Sequence, residues 1–176
     1  MVEVRTRLVP DLIGDAGLCD AVAECWLDVS NAGGAVGFPF PPVLPDQARK
    51  ATQRLAQDVA AGRLVVFVAE LEEVLVGWVA LRLNSSSHTR HWGSVQRLQS
   101  RPECRHVGVG RQLMDTLAEH ARSIGLEHLH LVLRGGQNLE AFYTLLGWSE
   151  VGRHRAALRF SDGVCDEVAM LLELSN

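Results

Sequence analysis

The residues with the clearest chemical potential lie in one short run, Arg105-His106-Val107-Gly108-Val109-Gly110-Arg111. Two glycines one residue apart let a backbone turn tightly and come within contact distance of a ligand. The run ends where an amphipathic helix is expected to begin. It therefore offers an anion unpaired amides and the positive end of a helix dipole, and a phosphate or diphosphate suits that geometry best. Arg105 and Arg111 add charge at the same place. A P-loop requires Lys and then Ser or Thr after its second glycine, and Arg111-Gln112 departs from that. A dinucleotide fingerprint requires a third glycine where Leu113 stands, inside an all-parallel strand series. On the residues themselves two readings stay open: an anion-binding turn, or a glycine-rich turn that only starts a helix.

Other reactive side chains carry less. His128 and His130 share one face of an expected strand, as metal ligands sometimes do, and are read as ordinary packed or surface histidines with no metal. His88 and His91 fall in a polar loop and are read as solvated, with a role as base the lesser alternative. Arg153, Arg155 and Arg159 alternate on an expected strand and read as a solvated basic face. Cys19, Cys25, Cys104 and Cys165 show no Cys-x-x-Cys pair and no metal-ligand spacing, so they read as free thiols of a reducing compartment.

The elements that must hold these residues can be read from patterning. Val2 to Val9 alternates as a strand, and Asp15 to Val29 repeats Leu18, Val22, Trp26 and Val29 at helical spacing. Gly33 to Pro42 is too rich in glycine and proline for either. Pro45 to Ala61 is a helix with Pro45 in its first turn. Leu64 to Leu71 and Val74 to Asn84 form a hairpin, and Trp92 to Ser100 is a further strand closed by Pro102. Gly108 to Ile124, with Val109, Leu113, Leu117 and Ala121 on one face and Gly125 as the stop, is the strongest helix. His128 to Arg134 is a strand, Leu139 to Leu146 a helix, and Val151 to Phe160 with Val164 to Leu174 a hairpin about Ser161-Asp162-Gly163. Trp92 to Arg134 makes one right-handed parallel crossover in an otherwise antiparallel order.

With the elements in place, Arg105-x-x-Gly108-x-Gly110 between a strand and an amphipathic helix resembles motif A of the GNAT superfamily of acetyltransferases. Glu140-Ala141-Phe142-Tyr143-x-x-Leu146-Gly147-Trp148 is similar to that family's second motif. The resemblance covers nearly the whole chain and is tightest from Val95 to Arg153. The run from Leu133-Arg134-Gly135-Gly136 to Gly152-Arg153 looks further like the tabtoxin-resistance type of small GNAT enzyme.

The resemblance implies an α+β, mixed α/β fold: a central, mostly antiparallel sheet with one parallel βαβ crossover. A bulge in the first parallel strand opens a V-shaped cleft between the two parallel strands. It implies acetyl-CoA as acyl donor, with the pantetheine arm on Leu98, Gln99 and Ser100. The diphosphate lies on the amides of His106, Val107, Gly108, Val109, Gly110 and Arg111, beside Arg105. An amide of the bulged strand receives the thioester oxygen, and Tyr143 is the acid for the departing thiolate. Two positions depart from the family pattern. Ser94 stands where many relatives carry a Glu base, and Gly136 where relatives often carry a pantetheine-binding Asn, leaving Asn138 as its substitute.

The function implied is transfer of acetyl to a primary amine of a small or amino-acid-like molecule by direct attack. The alternative, kept alive by Ser94 and opposed by Tyr143, is a non-catalytic acyl-CoA-binding or sensing module. The acceptor pocket is expected from the loops Ala32–Leu44, with Phe38 and Phe40 as walls, and Asn84–His91. Homodimers are common in the family. Composition agrees: 176 residues suit a single domain over 1–176, and 17 Lys plus Arg against 21 Asp plus Glu give no basic surplus for nucleic acid. No run is apolar enough to span a membrane, and Met1 to Asp11 lacks a signal-peptide core, so a cytoplasmic enzyme is expected.

Overall fold

The computed structural model describes residues 3–34, 37–38, 41–136, 138–160 and 163–174. Along the chain run β1 (Arg5–Val9), α1 (Ala16–Asn31), α2 (Pro45–Ala60), β2 (Leu64–Leu71), β3 (Val74–Leu83) and β4 (Trp92–Ser100). A 3₁₀ turn (Pro102–Cys104), α3 (Val109–Ser123), β5 (His128–Arg134), α4 (Leu139–Leu145), β6 (Ser149–Phe160) and β7 (Gly163–Glu173) follow. The strands form one seven-stranded sheet in the order β1-β2-β3-β4-β5-β7-β6. Only β4 and β5 are parallel, so the crossover expected over Trp92 to Arg134 is present.

Local chemistry explains the boundaries. Asp15 caps α1 by accepting the Leu18 amide at 2.9 Å. Pro45 opens α2, and Gln47 Oε1 receives the Leu44 amide at 2.8 Å. The hairpin β2–β3 turns at Glu72-Glu73, both with positive φ. β3 ends before Asn84, whose side chain donates to the carbonyls of Thr89 and Trp92. β6 begins at Ser149, two residues earlier than the alternation implied, because Ser149 already pairs with Leu171. The expected turn residues Ser161 and Asp162, and Val2 of the expected first strand, lie outside the described residues.

Two cores sandwich the sheet. Val109, Leu113, Leu117 and Ala121 of α3 are buried on one face with Leu129, Leu131, Leu133, Tyr143 and Trp148. Each such aliphatic side chain contributes roughly 1.5–3 kcal/mol by leaving water. The other face carries α1 on β3 and β4 and α2 on β2, around Trp26, Leu55, Val66 and Trp78. No described helix packs broadly on that face of β5. Strand alternation places Leu129, Leu131 and Leu133 toward α3, so His128, His130, Val132 and Arg134 face the α1 side.

Candidate active site

β4 is the element that makes the site. Its ladder to β3 slips between Gln96, which pairs with Ala80, and Gln99, which pairs with Trp78. Arg97 takes up the extra residue with φ of 56°, a left-handed conformation unusual outside glycine. On its other side β4 pairs with β5 only through Trp92↔His128, Gly93↔Leu129 and Ser94↔His130. Beyond Ser94 the two strands separate into a V. The opened edges leave main-chain groups that no neighbouring strand satisfies, which is where an extended ligand gains hydrogen bonds. Arg101 fixes the far end of β4 through its side chain to the Leu75 carbonyl at 2.9 Å and to Asp28 of α1.

The V opens into a cavity of about 1120 Å³. Leu98, Gln99, Ser100, Arg105, His106, Gly108, Val109, Gly110, Arg111, Asn138 and Tyr143, all singled out from sequence, line it. Val107 does not; its side chain is turned outward and exposed. Gly108 is the N-cap of α3 with φ of 94°, and a Cβ built there meets nothing within 4 Å. A Cβ on Gly110 meets the edge of Phe142 at 3.4 Å and Leu98 at 4.0 Å. The turn thus presents bare backbone to open space at a helix N-terminus, beside two guanidinium groups, and it fits a diphosphate.

Tyr143 lies on α4 with its ring edge-on to Phe142 (5.0 Å) and Trp148 (5.7 Å). It is 8% exposed, and burial raises its phenol well above the ordinary value. The hydroxyl is therefore protonated across the working pH range. Complete proton transfer from so weak an acid to a thiolate is uphill, so the hydroxyl is suited to donate a hydrogen bond rather than to release its proton. Asn138 enters the cavity as the N-cap of α4, with φ of 57°.

Several residues join the cavity that the sequence did not reveal. His130, paired with Ser94 at the closed end of the V, lines it, with Trp92 edge-on at 6.0 Å. Burial lowers its pKa below the ordinary 6.5, so the ring is neutral near pH 7. Arg97 and Arg134 also line the cavity, Arg134 with its guanidinium 3.6 Å from the Phe160 ring centroid. No Asp or Glu stands among the described lining residues.

The loop Asn84–His91 contributes none of the described lining residues, because it sits beyond the closed end of the V. His91 instead packs on His128 at 5.3 Å, and Glu127 completes a group whose ligand atoms lie within 4.8 Å of one another. His128 thus groups with His91 and Glu127 and not with His130. Phe38 packs on Trp26 at 5.2 Å and anchors its loop, while Gly33, Gly34 and Gly37 reach the cavity. Phe40 lies outside the described residues. Arg153 is held by Glu150 at 2.7 Å and Asp166 at 3.2 Å, so that part of the basic strand face is neutralised. The four cysteines are unpaired, and burial pushes the Cys25 thiol up to about 12.

Comparison with known proteins agrees with this geometry. Residues 35–148 match the family model described as the acetyltransferase (GNAT) family. A ribosomal-protein-alanine N-acetyltransferase from Brucella melitensis superposes with a TM-score of 0.77 at 19% identity, over 98% of this chain and 100% of that one. An N-acetyltransferase from Staphylococcus aureus Mu50 gives a TM-score of 0.79 at 14% identity, over 98% and 99%. A Salmonella typhimurium protein described as an acetyltransferase, solved with its cofactor acetyl-CoA, gives 0.77 at 19% identity, over 98% and 95%. At these identities the likeness is one of fold. The family match, the forked β4–β5 pair and the glycine turn at α3 together identify the chain as a member of the GNAT family of acetyltransferases, which use acetyl-CoA.

Proposed function

We propose that this chain, as a single domain in the cytoplasm, transfers acetyl from acetyl-CoA to the primary amine of a small, amino-acid-like molecule. The observation that carries the reading is the continuity of the cavity from the Arg105–Arg111 turn, along the open edge of β4, to Tyr143 and His130. Bound acetyl-CoA supplies an activated acyl group as a thioester. The turn binds the diphosphate, and the unpaired edge of Leu98, Gln99 and Ser100 aligns the pantetheine arm. Asn138 adds a polar contact to that arm.

An alkyl ammonium near pKa ~10.4 cannot attack until it gives up a proton. His130 is the group suited to accept it, directly or through one water, because it is neutral and no described carboxylate lines the cavity. The amine nitrogen then bonds to the acyl carbon, and an amide of the bulged strand receives the charge developing on oxygen. As the carbon–sulfur bond breaks, Tyr143 donates a hydrogen bond to the leaving sulfur. The thiolate gains a proton from the medium or from the imidazolium of His130. The attacking nitrogen sheds a second proton as the amide forms; one of the two protons ends on the thiolate and the other leaves to the medium, so ammonium and thioester become amide, thiol and one released proton.

Ser94 favours a second reading, an acyl-CoA-binding module without turnover. Incubation of acetyl-CoA with a panel of amines, following free thiol and the acetylated product by mass, separates the two. Amine-dependent thiol release supports the enzyme. Tight acetyl-CoA binding with no thiol release from any amine supports the module.

A further inference from the structure

The acceptor end of the cavity carries a cation with no carboxylate to answer it. Arg97 leaves the sheet at the bulge on the α1 side, and its guanidinium lies over the Trp26 ring, 5.0 Å from the centroid. Gly37 lies beside it, with Arg97 Nε 3.5 Å from where a Cβ of Gly37 would stand. Nearby Arg82 spends its charge on Asp58 at 2.9 Å, and Asp58 also holds Arg63 at 2.6 Å. Arg97 has no ion pair among the described residues. Its pKa is lowered, first by burial and then by Arg82, while Asp58 offsets only part. A guanidinium held partly out of water, lying over an indole and facing a cavity with no described acidic group, is preorganised for a planar anion. The diphosphate turn is built on α3, across the sheet from Trp26, and has Arg105 and Arg111 of its own.

We infer that the acceptor amine bears a carboxylate and that Arg97 binds it, so that the enzyme selects free α-amino acids over their uncharged derivatives. The inference rests on the proposed acetyl transfer and names its substrate class. The same lack of carboxylates leaves nothing in the described cavity to hold a second ammonium group, which sets polyamines apart as poor acceptors.

The test compares free amino acids with their carboxamides, which keep the amine and side chain and lose the charge. The wild type is expected to use the better acids with kcat/KM about 10- to 100-fold above their amides, the effect lying mainly in KM. Arg97→Gln should bring the acids down to the level of the amides, and Arg97→Lys should restore part of the preference. Both variants should keep the calorimetric Kd for acetyl-CoA and, by circular dichroism, the fold. Equal use of acids and amides by the wild type overturns the inference, as does failure to acetylate any acid. A fall in Arg97→Gln shared equally by both series makes Arg97 a structural residue and overturns it too. Absence of acetyl-CoA binding to the wild type would instead remove the underlying reading of the site.

Discussion

The two ends of the cavity are built on different principles. At α3 the cavity-facing groups are largely main chain, bared by Gly108 and Gly110 within seven consecutive residues. At the α1 side they are side chains, Arg97 and His130, brought together by the register of β3, β4 and β5. A site made of backbone carries its signature in local sequence, because only certain residues let the backbone be reached. A site made of side chains depends on which residues of distant strands fall opposite each other, and that is set by the whole sheet.

The sharpest break of the main-chain end is Gly110→Glu. Its Cβ needs little room beside Phe142, and a carboxylate in the first turn suits the helix dipole, so the fold should persist. The same carboxylate occupies and repels the diphosphate position. Calorimetry should show acetyl-CoA binding lost while circular dichroism is unchanged; retained affinity in a folded variant removes the turn from the site.

Tyr143→Phe leaves the packing against Phe142 and Trp148 and removes only the hydroxyl. Turnover should fall ~10²–10³-fold with little change in acetyl-CoA affinity. Because burial raises the phenol, wild-type kcat should show no alkaline limb from Tyr143 near pH 10. Wild-type turnover in the variant would reduce Tyr143 to a packing residue.

His130→Gln tests the side-chain end with a smaller effect, about 10²-fold in kcat, since water partly replaces a positioned base. The base must be neutral to act. Wild-type kcat should therefore rise with pH through a value below 6.5 and then level, the direction set by burial of the ring. In the variant that acid limb should vanish. A limb that persists unchanged assigns the base elsewhere.

The contrast between the two ends also explains what could be read in the sequence. Strands such as Leu64–Leu71, Trp92–Ser100 and His128–Arg134 were readable to the residue, the first from its valine-rich run and the other two from the Pro102 and Gly135-Gly136 that follow them. The glycine turn was readable from its own residues, Tyr143 and Asn138 only through the family resemblance, and all three reach the cavity. Arg97 gave no local sign: an arginine at positive φ is a product of the slip between β3 and β4, visible only once the strands are paired. His130 looked like the partner of His128. The parallel register instead sets it opposite Ser94, and His128 groups with His91 and Glu127. The loop Asn84–His91 was misplaced as a pocket wall because sequence order does not tell which end of a strand pair opens.

The most direct measurement is calorimetric titration of the wild-type protein with acetyl-CoA and with acetyl-pantetheine, which keeps the thioester arm but lacks the nucleotide diphosphate. Acetyl-CoA should bind far more tightly, because the Arg105–Arg111 turn at the head of α3 engages only the diphosphate. Equal affinities would contradict that assignment and leave the glycine turn as a helix start and nothing more.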